Sequence, residues 1–455
     1  MCTKVNVFMV KSKSNLDSIQ FMFKQIYNLY TEIFINIQAA YLSNKISEKQ
    51  QSSLIMRLEE FYFKLPLKTE PIIDDTTLRD GIQMPGLAVK PNDAAIIVKF
   101  LNEIGVERIE IFHYQEPDKK SAKAIQRMKL DLRVAGWCRA LREDIDSALD
   151  CDLQEVGISH PVSDIHFKAK WPDKNRQQIL DKVVDVVEYA AKTHGLKTFV
   201  HGEDSTRADW DFEKKFINAV AEAGAECYRL CDTVGIGLSD INAPLPNGIP
   251  TKMKAIKKET NIGEIEIHAH DDFGNAVENT MAAIKAASGV WERVYASTSF
   301  LGIGERAGNA ETEKVLLNLY LHHGVRKFHG KTQFLKQTAD FIGKATDYVV
   351  PPNKAIVGDY GFAHESGIHT HGVLNDPWTY EPYPPELVGN TRRLTVGKQS
   401  GKGIIRHKIE EITDKAPTEE VLAAVVKRIR DIYANGRRAS LKEEEFKRVL
   451  QELNL

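Results

Sequence analysis

The sequence predicts an α/β fold: a (β/α)8 TIM barrel with an N-terminal helical extension and a C-terminal helical linker subdomain. Three observations lead to this expectation. Short β-rich runs alternate with amphipathic helical runs between residues 70 and 300, and strand alternating with helix builds parallel β/α units. That span, about 230 residues, is the size of one closed eight-stranded barrel. Polar, titratable residues gather just after the β-rich runs, where a barrel carries its chemistry. The competing open, doubly wound sheet has no GxGxxG after its first strand to support it.

The expected strands are 72–75, 108–112, 132–137, 155–159, 197–201, 227–232, 264–270 and 294–299. Helical periodicity marks 93–105, 176–192, 211–224, 250–260 and 275–288, each ending near Gly or a turn. Residues 67–335 form the expected catalytic barrel. Before it, residues 1–66 read as a helical extension. Ile19, Phe23, Ile26, Leu29, Ile33 and Ile37 recur at helical steps, and a second helix is expected around 47–63. Asp17, Lys24 and Glu32 interrupt the apolar run, so it is read neither as a bilayer span nor as a signal peptide. Beyond the barrel, residues 336–455 read as a loop-rich linker and a small helical subdomain, with two tail helices around Asn435–Gly436.

Composition excludes some function classes. Lys+Arg total 61 against Asp+Glu 63, for a net charge of −2. No global field draws the chain to nucleic acid or to a membrane surface. Five cysteines without a CxxC fit a reduced, cytoplasmic compartment.

Chemistry concentrates at the expected strand ends. His268 and His270 lie two apart on one strand, so both imidazoles leave the same face. With a carboxylate from elsewhere they would make a divalent-metal site with open positions. The first strand runs into Arg79, Asp80 and Gln83, the fifth into His201 and Glu203, and the sixth carries Arg229 and Thr233.

The motifs DTTLRDG (75–81), HAHDDFGNA (268–276), LGIGERAGNA (301–310) and HESGIHTHGVL (364–374) resemble those of the DRE-TIM metallolyase superfamily. Within it the match is to the 2-oxoacid:acyl-CoA condensing branch of isopropylmalate, homocitrate, citramalate and Re-type citrate synthases. The resemblance implies metal ligands at Asp80, His268, His270 and Asn309, for Mg²⁺, Mn²⁺ or Zn²⁺, and acetyl-CoA as a substrate. It implies catalytic roles for Arg79, which would stabilise an enolate or alkoxide oxygen, and for Glu203, near the thioester. It implies that Thr233 binds the 2-oxoacid carboxylate. His369 and Tyr380 match a linker pair that completes a neighbouring subunit's active site, so a homodimer is implied. The chemistry agrees: a metal polarises the ketone, a fixed positive charge meets developing negative charge, and a base takes a methyl proton.

The pocket departs from the branch's pattern. Gly81-Ile82-Gln83 replaces the usual GEQ, and Trp137 stands where homocitrate synthases often present a histidine. Phe199 and His201 precede Gly202-Glu203-Asp204. Arg229, Cys231 and Thr233 share one face, expected inward. We therefore expect Gln83, Trp137, His201, Arg229 and Thr233 to bind substrate, with Trp137 as floor and His201 and Arg229 as positive groups. Such a pocket suits a short dicarboxylic 2-oxoacid, since an apolar acid would leave buried charges unpaired. Oxaloacetate, giving citrate, is the first expectation. Homocitrate, citramalate and isopropylmalate synthesis follow, and a C–C lyase of the superfamily is the alternative class. The competing reading of Arg229 pairs it with a buried acid such as Asp232 or Glu203.

Overall fold

A computed structural model describes Tyr62 and residues 64–455. The expected extension helices lie outside the described residues. Eight parallel strands close into a barrel in chain order: β1 (Ile72–Asp75), β2 (Arg108–Ile111), β3 (Arg133–Arg139), β4 (Glu155–Pro161), β5 (Lys197–Glu203), β6 (Cys227–Asp232), β7 (Glu264–Ala269) and β8 (Val294–Thr298). β8 pairs with β1 to seal it. β3, β4 and β5 run two residues past their expected ends, which carries Arg139, Pro161 and Glu203 to the rim on rigid backbone.

Helices wrap the strands because the two strand faces differ. Outward positions are apolar: Ile73, Ile109, Ile111, Val156, Ile158, Val200, Leu230, Ile265, Ile267 and Ala296 are buried. The helices α1 (Pro91–Glu103), α2 (Glu116–Arg127), α3 (Arg142–Leu149), α4 (Asp164–Lys170), α5 (Arg176–Glu188), α6 (Trp210–Ala223), α7 (Ile249–Glu259), α8 (Ala276–Ala287) and α9 (Thr312–His323) complete the barrel units. On α1, Ile97, Val98 and Leu101 are buried, as its periodicity predicts. Local signals set the ends. Asn175 and Gln178 form a capping box on α5, Asp209 accepts from the Phe212 amide to start α6, and Gly224, at φ +112°, stops it. Sequence periodicity missed α2, α3, α4 and α9, of which the first three are short or highly charged.

Inward positions are mostly charged. At the lower level Ala135, Phe199, Cys227 and Tyr295 pack together, with the Arg108 guanidinium 4.1 Å from the Phe199 ring and 4.3 Å from the Tyr295 ring. Above them Asp74, Glu110, His201, Arg229 and Glu266 are all buried. Arg108 pairs with Glu155 at 2.8 Å, Asp74 at 3.1 Å and Glu266 at 2.5 Å.

α10 (Leu335–Thr346) lies against α1, with the Phe341 and Phe100 rings 5.5 Å apart. The linker then carries β9 (Ala363–His364), α11 (Gly367–Asn375) and β10 (Arg393–Leu394). α12 (Lys402–Thr413), α13 (Glu419–Ala434) and α14 (Glu443–Glu452) bury Ile404, Ile409, Leu422, Val425, Phe446 and Leu450 in a core of their own. The last two are the expected tail helices, separated near Asn435–Gly436. No helix of the described residues is long and apolar enough to cross a membrane.

Gly157, on the inward face of β4, is a packing requirement. A Cβ there would lie 2.5 Å from His201 Nε2 and 2.6 Å from the Phe199 ring. Gly157→Val is expected to destabilise the barrel by about 1–3 kcal/mol, read as a lower urea midpoint with an unchanged slope.

Candidate metal centre and active site

β7 and β1 are separated around the barrel by β8 alone. His268 is in register with Ser297 of β8 on one side and Cys231 of β6 on the other. Beyond the strand end, His270 bridges to Asn309 of the GIGERAGN loop. The turn after β1 delivers Arg79 and Asp80 to the same place, with Asp80 opening the 3-10 turn Gly81–Gln83.

Asp80, His268 and His270 are buried and offer ligand atoms that all lie within 4.8 Å of one another. Asp80 Oδ2 is 3.4 Å from His268 Nε2 and 3.7 Å from His270 Nε2. The two Nε2 atoms face each other at 3.2 Å. His268 Nδ1 lies 3.0 Å from Ser297 Oγ, a contact that orients the ring with Nε2 toward Asp80 and His270. Burial pushes His268 down to about 4, against the pull of Asp80. Burial, and then His268, push His270 down to about 3. Both rings are therefore neutral near pH 7, as ligands must be. Burial alone would raise Asp80, but Arg79, His268 and His270 hold it well below the usual carboxylate range. Asn309 Nδ2 donates to Asp80 Oδ2 at 2.7 Å, while its Oδ1 is buried without a partner.

A divalent cation fits this donor set. Two neutral imidazoles and an ionised carboxylate converge, and the buried Asn309 Oδ1 beside them has no partner. A mixed N/O set suits Mn²⁺, Zn²⁺ or Mg²⁺.

Residues 70–342 match the family model described as HMGL-like. The chain belongs to the HMGL-like family. Residues 356–437 match a second model, described as homocitrate synthase post-HMGL domain-like. Among relatives of this HMGL-like chain, the 2-isopropylmalate synthase of Methanocaldococcus jannaschii is 37% identical over 402 residues, 86% of this chain and 74% of that protein. The (R)-citramalate synthase CimA of the same organism is 36% identical, over 80% of this chain and 71% of that one. The homocitrate synthase AksA of Methanopyrus kandleri is 35% identical, over 85% and 94%. The resemblance to the condensing branch of the DRE-TIM superfamily is thereby borne out. A crystal structure of Bacillus subtilis HMG-CoA lyase shares the fold, with a TM-score of 0.53 at 21% identity, covering 63% of this chain and 97% of that one.

The other expected residues of this HMGL-like chain fall into separate groups. Arg79 stands beside the ligands: its Nη1 is 3.5 Å from Asp80 Oδ1, and its Nε donates to Glu110 at 2.6 Å. At the β5–β6 rim Thr233 Oγ1 accepts from the amide of Asp204, the residue after Glu203, at 2.8 Å. Lys170 of α4 donates to Glu203 at 2.9 and 3.1 Å, and His166 Nδ1 is 3.2 Å away. Burial would raise Glu203, but His166 and Lys170 bring it down to about 2. Trp137 is half-buried and packs edge-on against Phe112, with ring centroids 5.7 Å apart, beside Tyr114. Gln83 is exposed on its turn. His369 and Tyr380 stack at 4.0 Å on the linker. Among the described residues, no contact joins them to the metal cluster.

Two expectations need correction. Arg229 is not a free positive group: it is fully buried and bound to Asp74 at 2.5 Å, Glu266 at 3.0 Å and Glu110 at 3.1 Å. It pairs structurally, though not with Asp232 or Glu203. Asp232 faces the opposite side of β6, accepting from Thr206 and Gly237. His201 is not positive either. Burial, and then Arg229, push it down to about 3, and it sits 3.1 Å from Glu110.

Glu110, Ser297 and Lys170 were missed. The signal for Glu110 was available: Arg108 and Glu110 alternate with isoleucine on β2, as Glu264, Glu266, His268 and His270 do on β7.

Ser297→Ala is expected to weaken Mn²⁺ binding about 10-fold, and His268→Ala to abolish it, both read by titration calorimetry. A Ser297→Ala affinity within twofold of the parent would reject the assigned histidine orientation.

Proposed function

We propose that the chain is a metal-dependent acyltransferase that condenses acetyl-CoA with a 2-oxoacid and then hydrolyses the thioester. The observation that carries this reading is the Asp80–His268–His270 cluster beside Arg79 at one barrel rim, in a chain whose relatives bear the names of isopropylmalate, citramalate and homocitrate synthases.

Asp80, His268 and His270, with Asn309 beside them, would hold a divalent cation, and its chemistry is to polarise the 2-oxo group. Arg79 keeps a fixed positive charge where negative charge develops on oxygen. The Thr233 oxygen already accepts the Asp204 amide, so its hydroxyl hydrogen is free to donate to the 2-oxoacid carboxylate. Glu203 remains ionised on the thioester side, held by Lys170 and His166. His369, stacked on Tyr380, takes the methyl proton in a neighbouring subunit's site. The enzyme is then a homodimer whose sites are each completed by the partner.

The acid we favour is a short dicarboxylate, oxaloacetate giving citrate. Phe112, Tyr114 and Trp137 place aromatic bulk on the β2–β3 side, which disfavours long or branched acids. With Arg229 and His201 committed to the interior, Arg79 and Lys170 are positive groups at the mouth. 2-Oxoglutarate ranks next, followed by pyruvate and 2-oxoisovalerate.

Thiol release from acetyl-CoA with Mn²⁺ is expected to be fastest with oxaloacetate. Release with 2-oxoisovalerate alone would overturn the choice of acid, and no release with any 2-oxoacid would overturn synthesis. Arg79→Ala and His369→Ala should each lose about 100-fold or more of kcat alone. Refolded together, they should recover about a quarter of parental activity, because half the dimers then contain one intact site. No recovery would place His369 in its own subunit's site.

A further inference from the structure

Three arginines rise through the barrel interior toward the metal centre: Arg108, Arg229 and, at the rim, Arg79. Arg229 is the hinge of that series. Its Nη2 is held by Asp74 at 2.5 Å and Glu266 at 3.0 Å, and its Nη1 reaches both Glu110 oxygens at 3.1 and 3.2 Å. Its guanidinium lies 5.0 Å from the Phe199 ring. Both terminal nitrogens are thus engaged, and no face is open to a substrate.

Glu110 is shared. Oε2 accepts from Arg79 Nε at 2.6 Å and from Arg229 Nη1, while Oε1 faces His201 at 3.1 Å. The carboxylate that orients Arg79 is therefore itself held by a fully buried group with three carboxylate partners. We infer that Arg229 is a positioning residue for Arg79, acting through Glu110. The inference rests on the reading above, in which Arg79 meets the developing oxyanion.

The physical argument concerns compensation. Glu110 is fully buried, and a buried carboxylate needs more than one partner to stay ionised. With Arg229 present, Arg79 supplies only its Nε to Glu110 and keeps Nη1 toward Asp80. Without Arg229, Arg79 would be the sole cation on Glu110. A two-pronged pair is the strongest geometry open to them, and forming it draws the guanidinium away from Asp80 and the reacting oxygen. Packing alone gives no reason for this layer, since barrel interiors are filled well by branched apolar side chains.

The test removes charge in balance. Arg229→Met combined with Glu266→Gln deletes one positive and one negative group from the layer. It is made in the parental chain and in the Arg79→Ala background, and Arg229→Lys is made alongside. In the parental chain the pair should keep the circular dichroism spectrum, Mn²⁺ stoichiometry and KM for the 2-oxoacid within about threefold, while kcat falls about 30-fold or more. In the Arg79→Ala background the same pair should change residual kcat less than about twofold. Arg229→Lys should recover part of kcat. An equal loss in both backgrounds, or no loss in the parental chain, overturns the inference. If the balanced pair fails to fold, Arg229→Lys carries the same cycle. A crystal structure of the variant supplies a readout independent of turnover: Arg79 two-pronged on Glu110 is expected, and an unmoved Arg79 rejects the proposal. Absence of turnover in the parental enzyme with every 2-oxoacid would instead overturn the reading of the site, and the variant's structure would still decide the positioning role.

Discussion

The buried ion pairs inside the barrel are what the rest of the structure depends on. Arg79, Arg108 and Arg229 face Asp74, Glu110, Glu155 and Glu266, all with little or no exposure. Taking such groups out of water costs several kcal/mol each, and only multiple, well-oriented partners offset it. Each arginine here has at least two carboxylate partners, and Arg108 also lies between two aromatic rings. Burial pushes Asp74 up to about 7, against Arg108 and Arg229. One carboxylate of the column can therefore carry a proton near neutrality, which brings three positive charges close to balance with the negative ones.

The column ends at the candidate metal site. Glu110 links Arg229 to Arg79, and Arg79 touches Asp80. The same two-residue alternation that points Glu266 into the column points His268 and His270 into the site above it. Support and ligands thus share one strand face, and the outer face of that strand, Ile265, Ile267 and Ala269, is sealed by helices. The barrel can hold charge inside because its hydrophobic burial is done on the outside.

The interior network also changes how substrate choice is understood. A positive residue on an inward strand position reads substrate only if its partners leave it a free face. Arg229 and His201 lie a step too deep for that, while Lys170 and His166 reach the rim from α4. In the proposed reaction, discrimination among 2-oxoacids would fall to groups at the mouth and to the aromatic cluster of Phe112, Tyr114 and Trp137.

Much of this was legible in the chain itself. Strand and helix alternation read out the barrel, because each β/α unit is a local pattern that depends only on neighbouring residues. The HxH pair was legible because strand geometry fixes where alternate side chains go, and Arg79-Asp80 because the DTTLRDG motif carries a family resemblance. Tertiary structure alone decided which carboxylate meets which arginine. Arg229 pairs with Asp74, Glu110 and Glu266, which come from three other strands and lie up to 155 residues away. Inward direction follows from local parity, but depth and partnership follow from barrel closure and register, which no single segment encodes. Composition and motif told where the positive groups would gather. Only the closed barrel decided that Arg229 is neutralised inside while Arg79 stands beside Asp80 of the candidate metal site.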